Sequence, residues 1–117
     1  MVWLPPAMRR GIALGYMLAR ATDSVADTSS SDPGKRVHVL EQMGRAVAGE
    51  LSEEEISVFL CSLRGSMADA QSKESEALLL RRFDECLEQL AQVSESERIL
   101  IRKVLSTIVE GQLWDLT

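Results

Sequence analysis

Ile12-Ala13-Leu14-Gly15-Tyr16-Met17-Leu18-Ala19-Arg20-Ala21-Thr22-Asp23-Ser24-Val25-Ala26-Asp27 is the stretch whose reading decides the fold. It holds no proline, and only the permissive Gly15 interrupts a run of helix-compatible residues. At about 100° per residue, Asp23 and Asp27 fall on one face, one turn apart. Ile12, Tyr16, Ala19 and Arg20 share that face, while Leu14, Met17, Leu18, Ala21 and Val25 lie opposite. The stretch therefore predicts a helix with an apolar back and a mixed polar front. Its near all-round apolarity predicts that it is the most buried element of the fold.

Outward from this helix, the pattern stays helical. Pro5 and Pro6 suit a helix start, and Thr28 to Gly34 reads as a loop. A second helix is expected from Lys35 to Ala48, with Val37, Leu40, Met43 and Val47 on one side and Gly49 as its stop. Ser52 with Glu55 is a capping-box pair that opens a third helix through Met67. A fourth is expected from Ser75 to Gln92, with Leu79, Phe83, Cys86, Leu87 and Leu90 at helical spacing. Ser94 with Glu97 repeats the capping pattern and opens a fifth, reaching Asp115. The expected fold class is all-α: an antiparallel bundle of about five helices in one unit spanning residues 1–117.

Composition narrows the function classes. A net charge of −5 speaks against nucleic-acid binding, which rests on clustered Lys and Arg. Cys61 and Cys86 have no metal-type spacing and read as reduced thiols. His38 has no second histidine or nucleophile signature beside it. Arg9-Arg10 followed by Gly11 to Ala19 imitates a short secretory leader, with Ala19-Arg20-Ala21 as its cleavage site. The two prolines ahead of the basic pair and the arginine inside that site argue against it, and the run is too short to span a bilayer.

Two carboxylates at i and i+4 repel unless a cation lies between them. Arg20 supplies part of the compensation, and a hard divalent ion would supply more, since Mg²⁺ takes one or two carboxylates together with substrate phosphates. The competing reading is a solvated helix end beside the loop. On the fifth helix Ile101, Val104, Leu105 and Ile108 define the expected buried face, with Gln112 and Asp115 on its continuation and Glu110 pointing away. Polar residues there mark either a cavity wall or a frayed terminus.

Leu4-Pro5-Pro6-Ala7-Met8-Arg9-Arg10, followed by the Tyr16, Arg20, Asp23, Asp27 run, resembles the first aspartate-rich region of the squalene/phytoene synthase family. Thr107-Ile108-Val109-Glu110-Gly111-Gln112-Leu113-Trp114-Asp115-Leu116 resembles a later helix of the same family. The resemblance implies a partial isoprenoid-synthase fold and head-to-head joining of two prenyl diphosphates, farnesyl or geranylgeranyl, to squalene, dehydrosqualene or phytoene. The allylic cation formed as diphosphate departs would be attacked by the second chain's double bond, giving a cyclopropylcarbinyl diphosphate.

By the same resemblance Asp23 and Asp27 are the Mg²⁺ ligands, Arg20 and Tyr16 lie close to the chemistry, and Ile12, Ala19, Gln112 and Asp115 border the substrate. The implied setting is cytoplasmic, with peripheral membrane contact and no nucleic acid; NADPH use by the complete enzyme is left open. The family's second aspartate-rich motif and its tyrosine- and glycine-rich helix are not found in the chain. The expectation is an incomplete domain, inactive alone, whose partner is the missing C-terminal portion. The alternative is a non-catalytic helical interaction module.

Overall fold

The computed structural model describes residues 6–28 and 32–116, with side chains from residue 11 onward except Ser66. Among the described residues six α-helices follow in order: α1 (Pro6–Ala26), α2 (Pro33–Ala48), α3 (Glu53–Ser62), α4 (Glu74–Arg81), α5 (Phe83–Gln92) and α6 (Glu95–Leu116). A π-helical turn, Leu63–Met67, prolongs α3. No strand occurs among the described residues. The Leu4-Pro5 start and residues 29–31 of the expected loop lie outside the described residues, as do the side chains of Arg9 and Arg10.

The helices start and stop for local reasons. Asp32 caps α2 by accepting from the Lys35 amide, and Pro33 takes the first-turn position. Ser52 and Glu55 form the reciprocal capping box at α3. At α6 only half of the expected box forms: Ser94 Oγ accepts from the Glu97 amide at 3.3 Å. The Glu97 carboxylate lies over Gly11 of α1, where a Cβ would stand 2.7 Å from Glu97 Oε2.

The C-termini are closed from elsewhere in the chain. Arg36 Nη1 donates to the Ala26 carbonyl of α1 at 2.9 Å, and Arg64 Nε to the Arg81 carbonyl of α4 at 3.3 Å. Arg98 serves the end of α5 through the carbonyls of Leu90, Ala91 and Val93. Each guanidinium satisfies orphan carbonyls and opposes the negative end of a helix dipole.

Two expected helices differ. The third is α-helical only to Ser62 and then widens into the π turn, placing Leu63 and Met67, both fully buried, one wide turn apart. The fourth breaks at Arg82 (φ −105°, ψ 19°), which gives six α-helices in place of five. Leu80 and Phe83, on either side of the break, are both fully buried, while the Arg82 side chain turns outward to Glu85 at 2.7 Å. Phe83 meets Phe59 of α3 edge-on, with ring centroids 5.9 Å apart.

α1 packs against α2, α4, α5 and α6. Its back supplies Leu14, Leu18, Ala21 and Val25 to the core, all essentially without solvent exposure. Met17, expected on that back, is 40% exposed. The front stays open, with Ile12 59% and Tyr16 67% exposed, so α1 is the most buried of the described helices through one side only. A run of small and apolar residues allows burial on every side, but here neighbours cover only the back. On α6 the buried line is Ile101, Leu105 and Val109; Val104 is 51% exposed, one ridge away from the face expected to carry it.

Candidate functional site

Gly11 faces Glu97, Gly15 faces Ile101, and Asp23 meets Gln112. These pairings advance together along both helices, so α1 and α6 run side by side in the same direction. The expected antiparallel neighbours are found instead between α2 and α6, where Val47 meets Arg102 and Gly44 faces Val109.

Between the exposed fronts of α1 and α6 lies a groove of about 490 Å³. Ile12, Tyr16 and Ala19 form one wall, and Leu100, Val104 and Ile108 the other. Its floor is close-set because Gly11 and Gly15 place no side chain between the helices. The lining is apolar except for Glu97 and the Tyr16 hydroxyl. One turn beyond Ala19 the chemistry changes to Thr22 and Asp23 on α1, opposite Gln112 on α6, with Asp27 just past the end of α1.

The hydroxyls at this end bond back onto their own helix. Thr22 Oγ1 donates to the Ala19 carbonyl at 2.8 Å, Ser24 Oγ to Arg20 at 3.0 Å, and Thr28 Oγ1 to Ser24 at 2.5 Å. All three residues are buried, and these bonds satisfy them. Gln71 Nε2 adds a bond to Thr28 Oγ1 at 2.8 Å and one to the Met67 carbonyl, tying the end of α1 to the turn after α3.

Asp23 is half-buried and accepts from Gln112 Nε2 at 2.5 Å. Asp27 is exposed, and its amide donates to the Asp23 carbonyl at 2.9 Å, as a helix end requires. Arg20 does not turn to this pair. Its guanidinium lies 3.5 Å from Glu76 of α4, an ion pair open enough to water to contribute at most about 1 kcal/mol. The structure thus joins Gln112 to Asp23 and gathers Ile12, Tyr16 and Ala19 along one groove. Asp115 is exposed near the end of α6 and forms no cluster with the two aspartates. Among the described residues no three His, Cys, Asp or Glu side chains converge as a metal-binding group.

Sequence reasoning missed Glu76 as the partner of Arg20, and Leu100 as a groove wall. The signal for Leu100 was present: Leu100, Val104 and Ile108 form a second apolar ridge beside Ile101 and Leu105. That is more apolar surface than one buried stripe needs. Glu76 carries no comparable mark, because nothing in its own surroundings points to Arg20.

Elsewhere the thiols part company. Cys61 is exposed, whereas burial, followed by the nearby Glu85 and Asp84 carboxylates, pushes the Cys86 thiol above its ordinary value. No described helix is long and apolar enough to cross a membrane.

No curated protein and no solved structure gives a match. The family model for squalene/phytoene synthase matches residues 1–117, the whole chain. The chain therefore belongs to the squalene/phytoene synthase family.

Proposed function

We propose that this chain builds the first metal–diphosphate face of an enzyme that joins two prenyl diphosphates head to head. The observation that carries the reading is the order of chemistry along α1 and α6: an apolar groove followed, one turn on, by a pair of carboxylates. A prenyl diphosphate has the same order, a hydrocarbon chain ending in a polyanionic head.

The donor set fits a hard cation. Asp23 and Asp27 offer only oxygen, they stand four residues apart at the end of α1, and Asp27 is open to solvent. Mg²⁺ keeps most of its waters and takes one or two carboxylates with phosphate oxygens. When bound, it would neutralise diphosphate charge and ease the departure of the leaving group. The protein's own contribution is to hold the prenyl chain between Ile12, Ala19 and Val104 and to keep water from the reacting carbons. Tyr16, on the groove wall, offers a hydroxyl close to the chain. Asp115 and the Arg20–Glu76 pair stand outside the groove lining and are proposed as bordering groups only.

A single carboxylate pair serves one diphosphate, and the sequence holds a single D-x-x-x-D run. The 117-residue chain is therefore expected to bind but not to condense its substrate. A partner helix docked on the exposed front of α1 and α6 is the competing reading, because the same apolar residues would serve it.

Calorimetric titration with a farnesyl thiodiphosphate analogue at rising Mg²⁺ separates the two. Binding should require Mg²⁺ and weaken at least about tenfold in Asp23→Asn and in Asp27→Asn, which remove charge but keep size. Leu14→Met, on the back of the same helix, conserves volume and should change little. Binding indifferent to Mg²⁺, or intact in both Asn variants, would return the pair to an ordinary helix end.

A further inference from the structure

We infer that Gln112 is a positioning residue for Asp23, holding its carboxylate in the orientation that meets the ion. The inference rests on the magnesium–diphosphate reading of Asp23 and Asp27.

The direction of the Gln112 amide is set by chemistry. An ionised aspartate only accepts hydrogen bonds, and the Thr22 hydroxyl proton is already used on the Ala19 carbonyl at 2.8 Å. Both neighbours therefore need a donor, and Gln112 Nε2 supplies it to Asp23 Oδ1 at 2.5 Å and to Thr22 Oγ1 at 3.3 Å. Asp23 Oδ2 has no hydrogen-bond partner among the described residues. One oxygen is thus tethered, and the other is presented.

Packing gives no reason for a glutamine here. The buried line of α6 runs through Ile101, Leu105 and Val109, and Gln112 continues it. An apolar side chain at that place would extend the stripe without desolvating an amide. Instead Gln112 Oε1 is buried and has no hydrogen-bond partner. An amide kept at that cost is explained by what its other end does, which is to restrain a carboxylate 89 residues away in sequence. A carboxylate restrained before the ion arrives loses less freedom on binding, and partners of this kind change metal affinity by about 10–100-fold.

The test uses the 117-residue chain, with Mn²⁺ and inorganic diphosphate as the probe, free Mn²⁺ being read by electron paramagnetic resonance. Gln112→Met keeps length and helix propensity and removes the donor. It should weaken the Mn²⁺–diphosphate complex by about tenfold or more while leaving the thermal midpoint unchanged or higher. A purely structural link would lower the midpoint and leave the affinity alone.

A second readout needs no variant at residue 112. In the wild-type chain the Gln112 side-chain amide protons should shift in the ¹⁵N–¹H spectrum when Mg²⁺ and diphosphate are added, and Asp23→Asn should abolish that shift. If Gln112→Met fails to fold, this spectrum decides: an unmoved amide overturns the inference. Unchanged affinity in a folded Gln112→Met overturns it too, while dependence on Asp23 and Asp27 would leave the site reading standing. A wild-type chain that binds no Mn²⁺–diphosphate removes both.

Discussion

Arg102 Nε on α6 donates to the Val47 carbonyl of α2 at 2.7 Å, closing a helix end that α2 cannot close alone. Gly49 stands beside this contact in the left-handed region, φ 78°, ψ 23°. There its amide bonds to Ala46 at 3.2 Å, and the next amide, of Glu50, bonds to Arg45 at 2.9 Å. A Cβ on Gly49 would also come within 3.1 Å of the Arg102 guanidinium. Backbone conformation and close approach both select glycine here.

Gly49→Ala should therefore destabilise the fold by about 1–2 kcal/mol. Arg102→Met, which keeps the aliphatic stem, should cost about 1 kcal/mol through the lost hydrogen bond. The two residues touch, so the double variant should depart from additivity. Urea unfolding followed by far-ultraviolet circular dichroism measures all three. An unchanged Gly49→Ala midpoint would contradict the cap.

The groove leaves Leu100 61% and Val104 51% exposed beside Ile12 and Tyr16. A contiguous apolar face of this kind attracts partners and dyes. The chain should bind an apolar fluorescent dye and self-associate as its concentration rises. Leu100→Lys with Val104→Lys should remove most of the dye signal, with stability changed by no more than about 0.5 kcal/mol per site, because both side chains are solvent-facing. A dye-silent, monomeric wild-type chain would show that the face is not accessible.

The capping box predicts a pH signature. The Ser52 backbone amide first, and then the Ser52 side chain, hold the Glu55 carboxyl below its ordinary value of 4.5. A carboxyl depressed in the folded state contributes fully above that ordinary value, and the contribution is lost as pH falls through the folded value. The stability gap between the wild type and Glu55→Gln should thus be widest above that ordinary value and should narrow steadily as pH falls below it. Ser52→Ala, which removes the other half of the box, should cost about 1 kcal/mol. A gap that widens on acidification would give the carboxyl the opposite sign.

Much of the fold was legible in local spacing. Helix starts at Ser52 and Ser94, the stop at Gly49 and the apolar back of α1 all depend on residues three or four apart, and those separations are written in the chain. The break at Arg82 was not legible, since the residues around it keep helical spacing. What sets the break is the burial of Leu80 and Phe83, with Phe83 against Phe59 of another helix. The face of Asp23 and Asp27 was likewise visible as a helix wheel, but its surroundings were not: Arg20 turned to Glu76, and the groove took in Leu100.

The sequence by itself determined an all-helical chain, a carboxylate pair on one helix face and membership of a family through the words around that pair. These follow from periodicity and order, which survive in one dimension. Only the tertiary structure decided that α1 and α6 run in the same direction, that Gln112 reaches Asp23, and that arginines from other segments close the ends of α1, α2 and α4. The physical reason is reach. A hydrogen bond needs its atoms within about 3 Å, and residues 89 positions apart meet only where packing of the apolar backs brings two helices side by side.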